Sequence, residues 1–207
     1  APEKQRGGVY GTAQQMASCL TNRAVARWVT PHGPADLRPQ FHPADFVRSG
    51  GTLYSLSKEG RGSAGPLVTA LTVAVVDAAE TIATHSAGGR LATPLLGVHD
   101  EAANVCRWRD LPNLYSHYGS RGIILMTILQ SWSQGADVWG EAGMKKLWSA
   151  SNVKVYGGGV SEVPFLEDMS KMIGQYDVER SSATTGAGRG GRSVSRHLNR
   201  ENILDVD

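Results

Sequence analysis

The chain has 207 residues, 41% of them apolar and 19% charged, with 21 Lys and Arg against 19 Asp and Glu for a formal charge of +2. That length supports one hydrophobic core without disulfide staples, and a charge so near zero gives no general attraction to a polyanion, so such a partner has to be met by a local patch. Cys19 and Cys106 match no metal or redox spacing, which leaves a reduced, cytosolic chain as the expectation, and residues 1–8 lack the apolar stretch of a signal peptide.

The opening Ala1-Pro2-Glu3-Lys4-Gln5, without a Met, reads as a piece cut from a longer protein. Over residues 12–29 the apolar positions keep a helical spacing with Pro31 beyond them, so one amphipathic helix is predicted. Residues 31–43, rich in Pro and His, read as a linker, and residues 52–56 read as a short strand by composition. Residues 66–83 form a helix with one apolar face. Its apolar core, residues 67–76, falls well short of the roughly 20 residues that span a bilayer, so no membrane crossing is expected. Further strands are predicted over 91–98, 123–129 and 152–156, and helices over 111–118, 137–150 and 160–173. Residues 123–129 are almost wholly apolar, as in a strand buried on both faces of a parallel sheet. The alternation predicts an α/β fold, a largely parallel sheet flanked by helices. Residues 181–200 read as a flexible loop or hairpin, after which Ile203 and Leu204 return to the sheet.

The apolar run ending in Val98 and His99 delivers two adjacent carboxylates, Asp100 and Glu101, to the strand's C-terminal end, where open α/β sheets place their ligand crevice. A Walker B pair has this form: the first carboxylate holds a hydrated Mg²⁺ on ATP and the second orients the attacking water. Gln130 emerges where the next apolar strand ends. An amide donates and accepts at once, which suits a group that senses the γ-phosphate. A strand ending in a polar turn, and a Gln capping the next helix, are the plain alternatives. Residues 60–65 satisfy G-x-G-x-x-G, but the acidic residue a dinucleotide site needs falls inside a helix at Glu80. A flexible strand-to-helix loop is the competing reading. His99 is expected to be a partly buried imidazole, and Trp108, Trp132, Trp139 and Trp148 to be packing or interface residues.

Asp100-Glu101-Ala102-Ala103-Asn104, Leu111-Pro112-Asn113-Leu114, Gly119-Ser120-Arg121-Gly122-Ile123, Gln130-Ser131-Trp132-Ser133-Gln134 and Trp139-Gly140, with Gly157-Gly158-Gly159, together resemble the conjugative type IV secretion coupling ATPases of the TraG/TraD kind. The resemblance spans residues 45–207. It implies the Walker B half of a RecA-like P-loop nucleotide-binding domain over 45–207, with the end of an all-α insertion and a linker over 1–44. It further implies a hexameric motor at the cytoplasmic face of the inner membrane, bringing relaxase-bound single-stranded DNA to secretion-channel components. Glu101, Gln130 and Arg121 would be catalytic, the last reaching a neighbouring subunit, and Asp100 would hold Mg²⁺ through water. No G-x-x-x-x-G-K-[ST] occurs in the sequence. The second hypothesis is a non-catalytic module that docks relaxase or an accessory DNA-processing protein. In residues 178–200, Arg180, Arg189, Arg192, Arg196 and Arg200 face only Glu179, so Arg189, Arg192 and Arg196 are the candidates for a sequence-tolerant hold on single-stranded DNA, against the alternative of a solvated loop.

Overall fold

The computed structural model describes residue 10 and residues 17–58, 63–185 and 192–204. The chain divides into two units, Ala1–Tyr156 and Gly157–Asp207. Residues 12–16 and 59–62, and Arg189 in the second unit, lie outside the described residues.

The single helix expected over 12–29 is broken. A 3-10 turn covers Ala17–Thr21 and α1 covers Arg23–Val29. Asn22 interrupts them because its side chain accepts the Ala24 amide at 3.0 Å, an N-cap that starts a new helix. α2 (Pro43–Ser49) opens on a proline and stops at Gly50, whose φ of 67° suits glycine. Residues 52–56 form no strand. Tyr54 and Leu56 are exposed, and a composition suited to a pleated surface forms no strand where no neighbour offers its hydrogen bonds. The G-x-G-x-x-G segment therefore does not follow a strand.

α3 (Gly65–His85) turns Val76, Ala79 and Ala83 into the core. The helix has 21 residues, and an 18-residue stretch of it has a mean hydropathy of 1.6, which suffices by length and composition alone to cross a bilayer, unlike the apolar run 67–76 on which the expectation rested. In this fold Val75, Val76, Ala79 and Ala83 of that stretch are buried.

β1 (Leu95–His99) is shorter than expected, since residues 91–94 carry no ladder. The chain passes through α4 (Ala102–Val105) and α5 (Leu111–Arg121) into β2 (Ile123–Thr127). The two strands pair in parallel, Leu95 against Ile123 and His99 against Thr127. Alternation sends Leu95, Ile123 and Leu125 toward the core, whereas Leu96, Val98, Ile124 and Met126 are about half exposed. The expectation of a strand buried on both faces is thus corrected to one face only. At Gly97 the strands pack closely: a Cβ there would lie 2.9 Å from the end of the Leu125 side chain, which would have to shift.

α6 (Trp132–Ala150) starts five residues before the expected helix, at the Ser131 N-cap, and bends at Gly140, whose φ of 69° and ψ of 165° belong to glycine. The bend presses Met144 onto Gly135 and sets the Trp132 and Trp148 rings edge to face at 6.0 Å. Trp108, Leu111, Tyr118, Ile123, Met144 and Leu147 complete the core, with the Trp139 indole donating to the Trp108 carbonyl at 2.8 Å. Cys106 is buried there and forms no disulfide, and desolvation pushes its thiol pKa up. Residues 152–156 are not a strand, and Val153 and Val155 stand in solvent.

The second unit pairs α7 (Val163–Ile173) with an antiparallel hairpin, β3 (Gln175–Thr185) and β4 (Arg192–Asn202). Ile203 and Leu204, expected to return to the sheet, bond to the end of α7: the Ile203 amide donates to the Gly174 carbonyl and the Ser170 hydroxyl to the Leu204 carbonyl at 2.7 Å.

Candidate functional site

The site grows from the way the two parallel strands finish. Past the last register pair, the Ile128 amide donates to the His99 carbonyl at 3.0 Å, and the Ile128 carbonyl accepts the Ala102 amide at 3.1 Å. Asp100 and Glu101 are thereby looped out over the strand end. Glu101 takes up φ 49° and ψ 46°, and it is the one non-glycine of positive φ among the described residues. That conformation costs roughly 1–2 kcal/mol for a residue with a Cβ. It is held because the Glu101 carbonyl accepts the amides of Asn104 and Val105 at 2.8 and 3.1 Å, opening α4.

This loop carries the Glu101 carboxylate to Gln130, whose Nε2 donates to Glu101 Oε1 at 2.6 Å across 29 positions of sequence. Asp100 is exposed beside them. The strand ends therefore bring Asp100, Glu101 and Gln130 together. Among the described residues no group of three His, Cys, Asp or Glu is arranged to hold a metal ion.

Two residues to which sequence reasoning gave no role belong to the same cluster. The Gln130 amide donates to Gln134 Oε1 at 3.2 Å, and Gln134 Nε2 donates to Asn104 Oδ1 at 2.9 Å. Their spacing was the available signal. Asn104 lies three residues after Glu101 and Gln134 four after Gln130, the separations at which helical neighbours share a face.

His99, under the loop, is buried as expected. Its Nδ1 and the Thr127 hydroxyl opposite are buried without hydrogen-bond partners, and desolvation lowers the imidazole pKa from 6.5. A depressed folded-state value means the unfolded chain takes up the proton more readily, so the stability His99 contributes is present above pH 6.5 and is lost as pH falls through the lowered folded value. The urea midpoint is expected to drop between pH 7.5 and 5.5 in the natural chain, with a flatter profile in His99→Leu. Equal slopes in both proteins would show that His99 does not titrate on unfolding.

Arg121 does not join this cluster. It ends α5, just before β2, and donates to the Gly89 carbonyl at 3.2 Å. The five residues of β2, at about 3.3 Å each, separate it from Gln130, so within one chain it stands at the opposite end of the sheet.

The hairpin changes the charge count at the other candidate site. Arg200 pairs with Asp177 at 3.4 Å, Arg196 with Glu179 at 3.3 Å, and Arg180 with Glu201. Asp177 and Glu201 fall just outside residues 178–200, so the excess of arginine there is smaller in the folded hairpin than along the sequence. Arg192 opens β4, paired in the ladder with Thr185.

A family model described as the TraM recognition site of TraD and TraG matches residues 94–207, more than half of the chain. The chain belongs to the TraG/TraD family. The TraG/TraD match opens just before β1 and takes in the Asp100, Glu101 and Gln130 cluster and the whole second unit. None of the curated proteins matches the chain. Among solved structures it is similar to the bacterial conjugative coupling protein TrwBdeltaN70 in its unbound form, at 27% identity and a TM-score of 0.46 over 68% of this chain. The chain spans 31% of the length of that protein.

Proposed function

We propose that this TraG/TraD chain supplies the water-orienting half of the ATP site in a conjugative coupling protein, a motor that delivers relaxase-bound single-stranded DNA to a type IV secretion channel. The observation that carries the reading is the Glu101–Gln130 hydrogen bond at the C-terminal ends of two parallel strands, the position where open α/β sheets bind ligands. MgATP would supply the electrophilic γ-phosphate and the metal that neutralises its charge. Glu101 accepts a proton from water and aims it, while Gln130 holds that carboxylate and detects whether phosphate is present. The donor set fits a metal reached through water: Asp100 is one exposed carboxylate, and Mg²⁺ in nucleotide sites keeps most of its shell from water and phosphate. The phosphate cradle itself would come from residues that this sequence does not include.

The open apolar face of Leu96, Val98, Ile124 and Met126 supports a RecA-like core, since parallel sheets are covered on both faces. In a hexamer of the full-length protein at the cytoplasmic face of the inner membrane, Arg121 would serve a neighbouring subunit. Arg196, with Arg192 and Arg189, would meet the DNA backbone. The second reading is a docking module, and the description of the matched family favours it: residues 94–207 would bind an accessory relaxosome protein of the TraM kind.

ATP hydrolysis by the full-length protein carrying Gln130→Ala tests the motor reading. Turnover is expected to fall about 10- to 100-fold, with nucleotide binding retained. Unchanged turnover with binding of the accessory protein intact would leave the docking reading in its place.

A further inference from the structure

We infer that Gln134 and Asn104 are positioning residues, a side-chain clamp that sets the distance between Glu101 and Gln130; this rests on the motor reading for its catalytic consequence, though not for its geometry. The two strand ends deliver Glu101 and Gln130 on separate segments, one turning into α4 and the other into α6. Among the described residues no backbone hydrogen bond joins those segments beyond the one from the Ala102 amide to the Ile128 carbonyl. The Gln134 side chain spans the gap. Its carbonyl oxygen accepts the Gln130 amide at 3.2 Å and its NH₂ donates to Asn104 Oδ1 at 2.9 Å, so one planar amide ties the Gln130 segment to the helix that Glu101 begins.

The clamp is itself fixed at both ends. The Gln134 amide donates to Ser131 Oγ at 3.2 Å, which seats Gln134 in the first turn of α6. Asn104 sits in α4, whose first amides bond the Glu101 carbonyl. The bond from Gln134 to Asn104 is partly buried, so water competes less for it than for the exposed bond to the Gln130 amide. A carboxylate at position 134 would still accept from the Gln130 amide, but it has nothing to donate to Asn104 Oδ1, and the bond between them would re-form only if Asn104 turned its NH₂ toward it. With the clamp removed, the 2.6 Å contact between Gln130 and Glu101 loses its support, and a misplacement on the order of 1 Å costs turnover without touching nucleotide affinity.

The test compares Gln134→Ala, Gln134→Glu and Glu101→Gln in the full-length protein, reading kcat and KM for ATP together with hydrogen exchange of the peptide containing the Gln130 amide. Gln134→Ala is expected to lower kcat about 10- to 100-fold with KM nearly constant, and to speed exchange of that peptide. Gln134→Glu should keep the slow exchange and recover only part of kcat. A Gln134→Ala protein with kcat within about twofold of the natural one, while Glu101→Gln is inactive, overturns the clamp as a positioning device. Unchanged exchange in Gln134→Ala overturns the bond itself. Should Glu101→Gln hydrolyse ATP normally, the motor reading fails, and the exchange data still decide whether Gln134 holds Gln130.

Discussion

Glu101→Gln in the full-length protein is expected to reduce ATP turnover by about 10²- to 10⁴-fold while ATP remains bound. The substitution is close to isosteric, so the Gln130 side chain keeps an oxygen to donate to and the looped-out backbone keeps its bonds to α4. Charge and basicity are what it removes. An amide cannot take a proton from water, and its dipole is a weaker aim for a nucleophile than a carboxylate. Phosphate release measures the first quantity, and equilibrium binding of a labelled nucleotide the second. Turnover within twofold of the natural protein would remove Glu101 from the reaction.

The second large effect is on stability. Leu111 opens α5 with none of its surface exposed and is among the largest fully buried side chains. Leu111→Ala removes that buried volume from the face against Trp108, Tyr118 and Ile123, and is expected to cost about 2–5 kcal/mol. For a chain of this length that lowers Tm by roughly 5–15 °C. Leu198→Ala, on a hairpin side chain that stands 73% exposed, should stay within about 0.5 kcal/mol. Urea unfolding followed by tryptophan fluorescence reads the first change directly, since Trp108 packs against Tyr118 with ring centroids 5.8 Å apart. A loss under about 1 kcal/mol for Leu111→Ala would mean that the core collapses around the missing side chain.

What could be read from residue pattern was whatever depends on near neighbours. The periodicity of α3, the apolar run of β2 and the carboxylates after His99 are local, and each stands where the pattern places it. Residues 52–56 and 152–156 have the composition of strands and form none, because a strand is completed by its partner, which composition does not name. The pairing of Arg180 and Arg200 with Glu201 and Asp177 needed the hairpin register, which brings together residues more than 20 positions apart. The meeting of Glu101 with Gln130 followed from a general rule about strand ends, whereas the spacing of Asn104 and Gln134 marks only a shared face, and their bridge is completed by side-chain rotamers.

The bend at Gly140 gives the molecule an internal optical gauge. At 1.5 Å per residue, Trp132 and Trp148 would lie about 24 Å apart along a straight helix, yet their rings touch edge to face at 6.0 Å. Coupled indoles at that separation have a near-ultraviolet circular dichroism that distant ones lack, so the signal of this one pair follows the angle between the two halves of α6. Because Gln134 stands at the start of the first half and holds the amide of Gln130, just before the N-cap, an event at the strand ends can be followed through chromophores the protein already carries.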